Sequence, residues 1–144
     1  MQPLLEQVLE KNPDTVKIVF KHLPLRMHNM AETAALAAVA AQKQGKFWQM
    51  HDALFNNRPL SKKSIDEAAK SIGLNMEQFR KDMADPATRQ RVFKDMMDAQ
   101  KAEVSGTPTL FINGHRVKDR SLPAIQSMID RELKTTSTAQ KPSS

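Results

Sequence analysis

Val104-Ser105-Gly106-Thr107-Pro108-Thr109-Leu110-Phe111-Ile112-Asn113-Gly114-His115-Arg116-Val117 decides how this chain is built. Asn113-Gly114 between two apolar runs is the strongest short-range hairpin signal, because a two-residue type I′ turn needs positive φ at both central positions. It predicts a strand over 109–112 and an antiparallel return over 115–118. Gly106-Thr107-Pro108 stands immediately before the first strand, where a proline has no N–H to give a ladder and where a cis bond is accessible. The structural reading of Thr107-Pro108 is a turn. The functional reading is substrate binding: the Thr107 backbone, freed from sheet pairing, offers its N–H and C=O to an extended peptide, a mode that tolerates many sequences. Gly106, Asn113 and Gly114 are then structural residues that shape the backbone on either side.

Working outward toward the C-terminus, Ser121 is placed to cap a helix with Leu122 and Pro123 in its first turn and Ile125, Met128, Ile129 and Leu133 inward. Beyond Lys134 the run TTSTAQKPSS has no apolar anchor and reads as a flexible tail over 135–144. Toward the N-terminus, Asp85-Pro86 opens a helix to about Ala102 that buries Val92, Phe93, Met96, Met97 and Gln100 or Val104. Asn75 caps a helix over 76–84 with Phe79 and Met83 inward. Ser61 caps another, carrying Ile65, Ala68, Ala69 and Ile72 and ending at Gly73. Lys46–Asn56 places Phe47, Trp48, His51, Leu54 and Phe55 on one stripe, and the alanine-rich run over 30–43 stops at Gly45. Val16–Phe20 reads as a strand covered on both faces, ended by His22-Leu23-Pro24-Leu25. Leu4, Leu5, Val8 and Leu9 make an opening helix that stops at Asn12-Pro13-Asp14.

Composition narrows the chemistry. With 40% hydrophobic and 26% charged residues, the 144-residue chain has the make-up of one globular domain. The net charge of +6 reads as a solvated basic face, because 22 Lys and Arg are interleaved with 16 acids and no basic stripe carries stacking aromatics. Nucleic acid is therefore not the expected partner. No apolar run reaches the roughly 20 residues that cross a bilayer, so no membrane partner is expected. The four His are scattered and His51 lies on an apolar stripe, so no metal is expected; no glycine-rich phosphate loop points to a cofactor. There is no cysteine.

The hairpin stretch resembles the cis-proline strand and hairpin of DsbA-like thioredoxin-fold disulfide oxidoreductases. Phe20-Lys21-His22-Leu23-Pro24-Leu25 is similar to that family's F-R-H-x-P-L segment. AALAAVAAQKQGKFWQMHDALF, over 34–55, resembles the start of its inserted helical domain. Together these motifs cover residues 3 to 133 in the family's order. The resemblance implies an α/β architecture: an incomplete thioredoxin-like fold with an inserted helical subdomain. It divides the chain into a helix and strand over 1–25, the helical insertion and return helix over 26–103, the cis-proline strand, hairpin and last helix over 104–134, and the tail. Pro108 matches the cis proline and Thr107 its substrate-facing neighbour.

The family's Cys-x-x-Cys and the strand before it have no counterpart here, and Pro3 with Leu4-Leu5-Glu6 matches the helix downstream of that motif. Disulfide exchange needs one thiolate to attack and a second thiol to resolve the mixed disulfide. No catalytic residue is therefore assigned, and the chain as it stands is expected to be inactive. Its expected partners are an extended peptide or protein substrate, and a second copy or an N-terminal segment that completes the sheet. The alternative function is a cysteine-free peptide-binding or structural module. The expected compartment is cytoplasmic for the sequence as given, and periplasmic or secreted if a leader precedes it.

Overall fold

The computed structural model describes residues 1–139. They form two compact units, each set out here by itself: Met1–Val19 with the chain from Gly106 onward, and Phe20–Ser105.

In the first unit, α1 (Gln2–Lys11) carries Pro3 in its first turn, where a missing N–H costs nothing. β1 (Phe111–Ile112) and β2 (His115–Arg116) pair antiparallel, with Phe111 opposite Arg116 and Ile112 opposite His115. Asn113 and Gly114 both have positive φ, +46° and +83°, as the type I′ turn demands. The Val117 N–H reaches the Leu110 carbonyl at 2.9 Å and continues the pairing by one step. The last helix, α7 (Leu122–Ala139), lays Ile125 and Ile129 onto Val8 and Val117, with Leu4, Val16, Leu110 and Ile112 around them. Asn12 and Gln126 exchange two side-chain hydrogen bonds of 2.9 Å and lock the end of α1 to α7.

Two expectations change in this unit. The chain from Val16 to Phe20 joins no ladder among the described residues, where the only sheet is the β1–β2 pair. Val16 and Ile18 are half-buried, but Val19 is 64% exposed, so the segment is covered on one face only. An alternating apolar pattern makes a strand when a neighbour supplies donors and acceptors, and no described neighbour does so here. The tail expected from residue 135 is helical to Ala139: the hydroxyls of Thr135, Thr136, Ser137 and Thr138 donate to carbonyls four residues back, and each finds a partner without any apolar anchor. The rest of the expected tail, 140–144, lies outside the described residues.

The second unit is wholly helical: α2 (Ala31–Lys43), α3 (Phe47–Asn56), α4 (Lys62–Ser71), α5 (Met76–Ala84) and α6 (Pro86–Lys101). Alanine fills seven of the thirteen α2 positions, which lets α3, α4, α5 and α6 all pack on it closely. The main core gathers Ala37, Ala40 and Ala41 with Met50, Leu54, Ile65, Ala69 and Phe79. Gly45 and Gly73, both at positive φ, follow α2 and α4. The Lys46 ammonium donates to the carbonyls of Ile72 and Gly73 at 2.8 and 3.3 Å, placing a cation on the negative end of α4.

Ser61 and Ser64 form a reciprocal capping box at the start of α4, with bonds of 3.0 and 2.8 Å. Ser61→Ala is expected to lower stability by about 1 kcal/mol, a fall of roughly 3–5 °C in Tm, read by thermal unfolding at neutral pH.

The two helical stripes that the periodicity placed inward hold in part: Leu54 in α3 and Val92 in α6 are buried, with Phe47 and Met96 packed beside them. In α3 the fully buried residue is Met50, while Trp48 and Phe55 are exposed. In α6 the inward residues are Thr88, Val92 and Asp95, and Phe93 is 60% exposed with Met97 beside it. Each expected stripe is wider than the face that is covered, so its outer members, Trp48 and Phe55 in α3 and Phe93 and Met97 in α6, stay exposed.

Candidate functional site

Gly106-Thr107-Pro108 leads into β1, and the Thr107–Pro108 peptide bond is cis. Thr107 and Pro108 are both exposed. The loop is tied on either side of Thr107: the Thr109 hydroxyl donates to the Gly106 carbonyl at 2.7 Å, and Arg120 Nη1 to the Pro108 carbonyl at 3.3 Å. Within the described residues the Thr107 backbone forms no backbone hydrogen bond of its own. The loop ahead of β1 is therefore held on both sides of an exposed Thr107. Gly106 is not at positive φ and has open space around it, so its role here is that of a carbonyl acceptor. Asn113 and Gly114 build the hairpin turn and stand apart from the loop as structural residues; Asn113 also donates to Glu132 at 3.2 Å.

The helical unit holds a second arrangement, which no local periodicity marks. The Asp95 side chain is 0% exposed. Its Oδ2 accepts the His22 backbone N–H at 2.9 Å, its Oδ1 accepts from Arg91 Nη1, and Lys21 Nζ lies 3.8 Å away. Lys21 also donates to Asp98 at 2.8 Å. The His22 ring sits in an aromatic cluster, edge-on to Phe20 at 5.1 Å and Phe47 at 5.9 Å, and His51 stacks among Phe20, Trp48 and Phe55. Burial lowers the His22 pKa to about 4, outweighing the attraction of Asp95, and Arg91 and His51 push the same way as burial. His22 is thus a neutral buried ring at neutral pH.

Arg91 and Asp95 stand at i and i+4 on α6, which is the sequence signal available for this arrangement. A pair at that spacing usually lies on a solvated face, so nothing local marks the acid as the inward residue. His51 is packed among aromatics as its stripe implied. No group of three or more potential metal ligands occurs among the described residues.

Comparisons with known proteins extend these observations. A family model described as Thioredoxin matches residues 1–131. A thioredoxin-like oxidoreductase from Silicibacter pomeroyi superposes with a TM-score of 0.78 at 27% identity, covering 92% of this chain and 77% of that one. The thiol-disulfide exchange protein alpha-DsbA2 from Wolbachia pipientis gives 0.77 at 22% identity, over 90% and 72%, and speaks for the fold alone. Among curated relatives, Na(+)/H(+) antiporter NhaA 3 of Salinispora tropica is 40% identical over 104 residues, which is 71% of this chain and 16% of the antiporter. Na(+)/H(+) antiporter NhaA of Herminiimonas arsenicoxydans is 30% identical over 132 residues, or 90% and 21%. The chain therefore spans about a sixth to a fifth of the length of these curated relatives. Among the described residues no helix is long and apolar enough to cross a membrane.

Proposed function

The chain belongs to the thioredoxin family, as a DsbA-like member with no cysteine, and on that premise we propose that it engages extended polypeptide through the Thr107-Pro108 loop without exchanging disulfides. The observation that carries this reading is exposed Thr107, whose backbone makes no backbone hydrogen bond among the described residues. A disulfide-exchanging relative does two things, holding a client strand and attacking its sulfur. The first needs only backbone groups; the second needs a thiolate, and Ser or Met has no comparable exchange chemistry. Antiport is what the names of much longer proteins say of those proteins, of which this chain spans about a sixth to a fifth.

Two measurements test it together. A disulfide-reductase assay is expected to give no turnover above a protein-free control. Titration with an unstructured client peptide, followed by amide chemical shifts, is expected to move Thr107 and Thr109 most. Turnover from material of verified sequence, or shifts confined to residues away from 106–109, would overturn the reading.

A second reading is favoured by the open edge of β1 and by exposed Val19: a partner strand or a second copy completes the sheet. Light scattering at micromolar concentration is expected to report a dimer or larger species. A stable, cooperatively unfolding monomer would sink that reading and leave the first untouched.

A further inference from the structure

Every Lys or Arg that forms an ion pair among the described residues belongs to the helical unit, from Lys21 with Asp95 and Asp98 to Arg91 with Asp95. Among the described residues the Lys and Arg of the hairpin unit have no such partner, and three of them meet along one groove. Arg116 and Lys118 are two residues apart, so they face the same side of the strand, while Val117 between them turns into the core. Ser127, Met128 and Arg131 stand three and four apart on one face of α7. Together these residues line a groove of about 370 Å³. Its one carboxylate, Asp119, accepts the Ser121 N–H at 2.9 Å, and that bond holds its pKa below the usual carboxylate value. Asp119 thus stays ionised in the turn, but three cations against one anion leave the groove positive; the Arg116 guanidinium also lies over the Phe111 ring, 5.8 Å from its centroid.

We propose that this groove between β2 and α7 docks an acidic peptide segment of a partner protein, with Arg116, Lys118 and Arg131 taking its carboxylates and half-buried Met128 providing an apolar floor. Complementary charge at spaced positions on a ridge and a helix suits an extended chain that presents an acid every second or third residue. The groove uses none of the Thr107-Pro108 loop, so the proposal stands apart from peptide capture there.

The test is fluorescence anisotropy with the full chain and a labelled peptide of about ten residues alternating Glu and Ser, beside its Gln and Ser counterpart. Binding of the acidic peptide alone is expected, weakening as salt rises. The double variant Lys118→Gln, Arg131→Gln is expected to bind about tenfold more weakly, each exposed pair contributing roughly a two- to fivefold effect. Its Tm should match the parent, because both side chains are exposed. Lys62→Gln with Lys101→Gln removes the same charge from exposed positions elsewhere and should bind as the parent does. Equal weakening by both double variants would reduce the effect to net charge and overturn the proposal. So would absence of binding, complete displacement of the peptide by millimolar inorganic phosphate, or tighter binding of a DNA oligonucleotide with the same dependence on Lys118 and Arg131.

Discussion

Asp95→Ala is expected to destabilise the helical unit by about 3 kcal/mol, more than any substitution of an exposed charge. The carboxylate is fully buried and holds three groups at once: the His22 N–H, the Arg91 guanidinium and, at longer range, the Lys21 ammonium. Losing a hydrogen bond to a charged acceptor costs roughly 1.5–3 kcal/mol, and leaving a buried N–H without a partner costs roughly 1–3 more. The Arg91 side chain is 40% exposed and regains water once released, which keeps the total toward the lower end of that sum. Lys21→Gln is the matched control: Lys21 is half-exposed and its shorter pair is with Asp98, so about 0–1 kcal/mol is expected. Urea unfolding with a shared m-value measures both. A loss below about 1 kcal/mol for Asp95→Ala would mean that the buried acid holds nothing that water cannot replace.

Asp95 acts between segments far apart along the chain, so no local pattern marks it. It fastens α6 to the segment around His22, which the sequence places more than seventy residues away. Local signals found the elements themselves, because caps and turns are decided within a few residues: Asn75 caps α5, Asp85 caps α6, and Asn113-Gly114 makes the hairpin. Which face of a helix turns inward is decided by what it meets. In α3 and α6 the apolar stripe is wider than the face that is covered, and the buried members are those packed toward α2, Met50 and Leu54 in one helix and Val92 in the other. The extended run at 16–20 fails for the same reason, since its pattern is right for a strand and its described neighbours give it no ladder. At Thr107-Pro108 the sequence shows a proline ahead of the hairpin, and the structure adds that the bond is cis and that both residues are exposed. The basic groove was not, because Arg116 and Arg131 are brought together by the packing of α7 and look unrelated along the chain.

The second large effect is one of pH. Unfolded, His22 titrates near its ordinary value of 6.5; folded, burial holds the pKa at about 4. The unfolded chain therefore binds a proton that the folded chain refuses anywhere between those values, so stability falls as pH drops from about 6.5 to about 4 and is unaffected by this group above that range. The full shift corresponds to about 3 kcal/mol at the acid end. The charges facing the ring divide: Asp95 favours the protonated form, while Arg91 and His51 oppose it, and desolvation decides the sign. Acid loss from carboxylates is separable, because Asp66, Asp85 and Asp98 are all held below the usual 3.8 and give up their contributions at lower pH. His22→Phe keeps an aromatic ring against Phe20 and Phe47 and has nothing to protonate. Its stability is expected to lie near the parent's at pH 7 and to stay flat down to about pH 4, while the parent's declines. If the two curves fell in parallel across that window, the decline would belong to some other group, and a neutral ring buried beside Asp95 would not account for it.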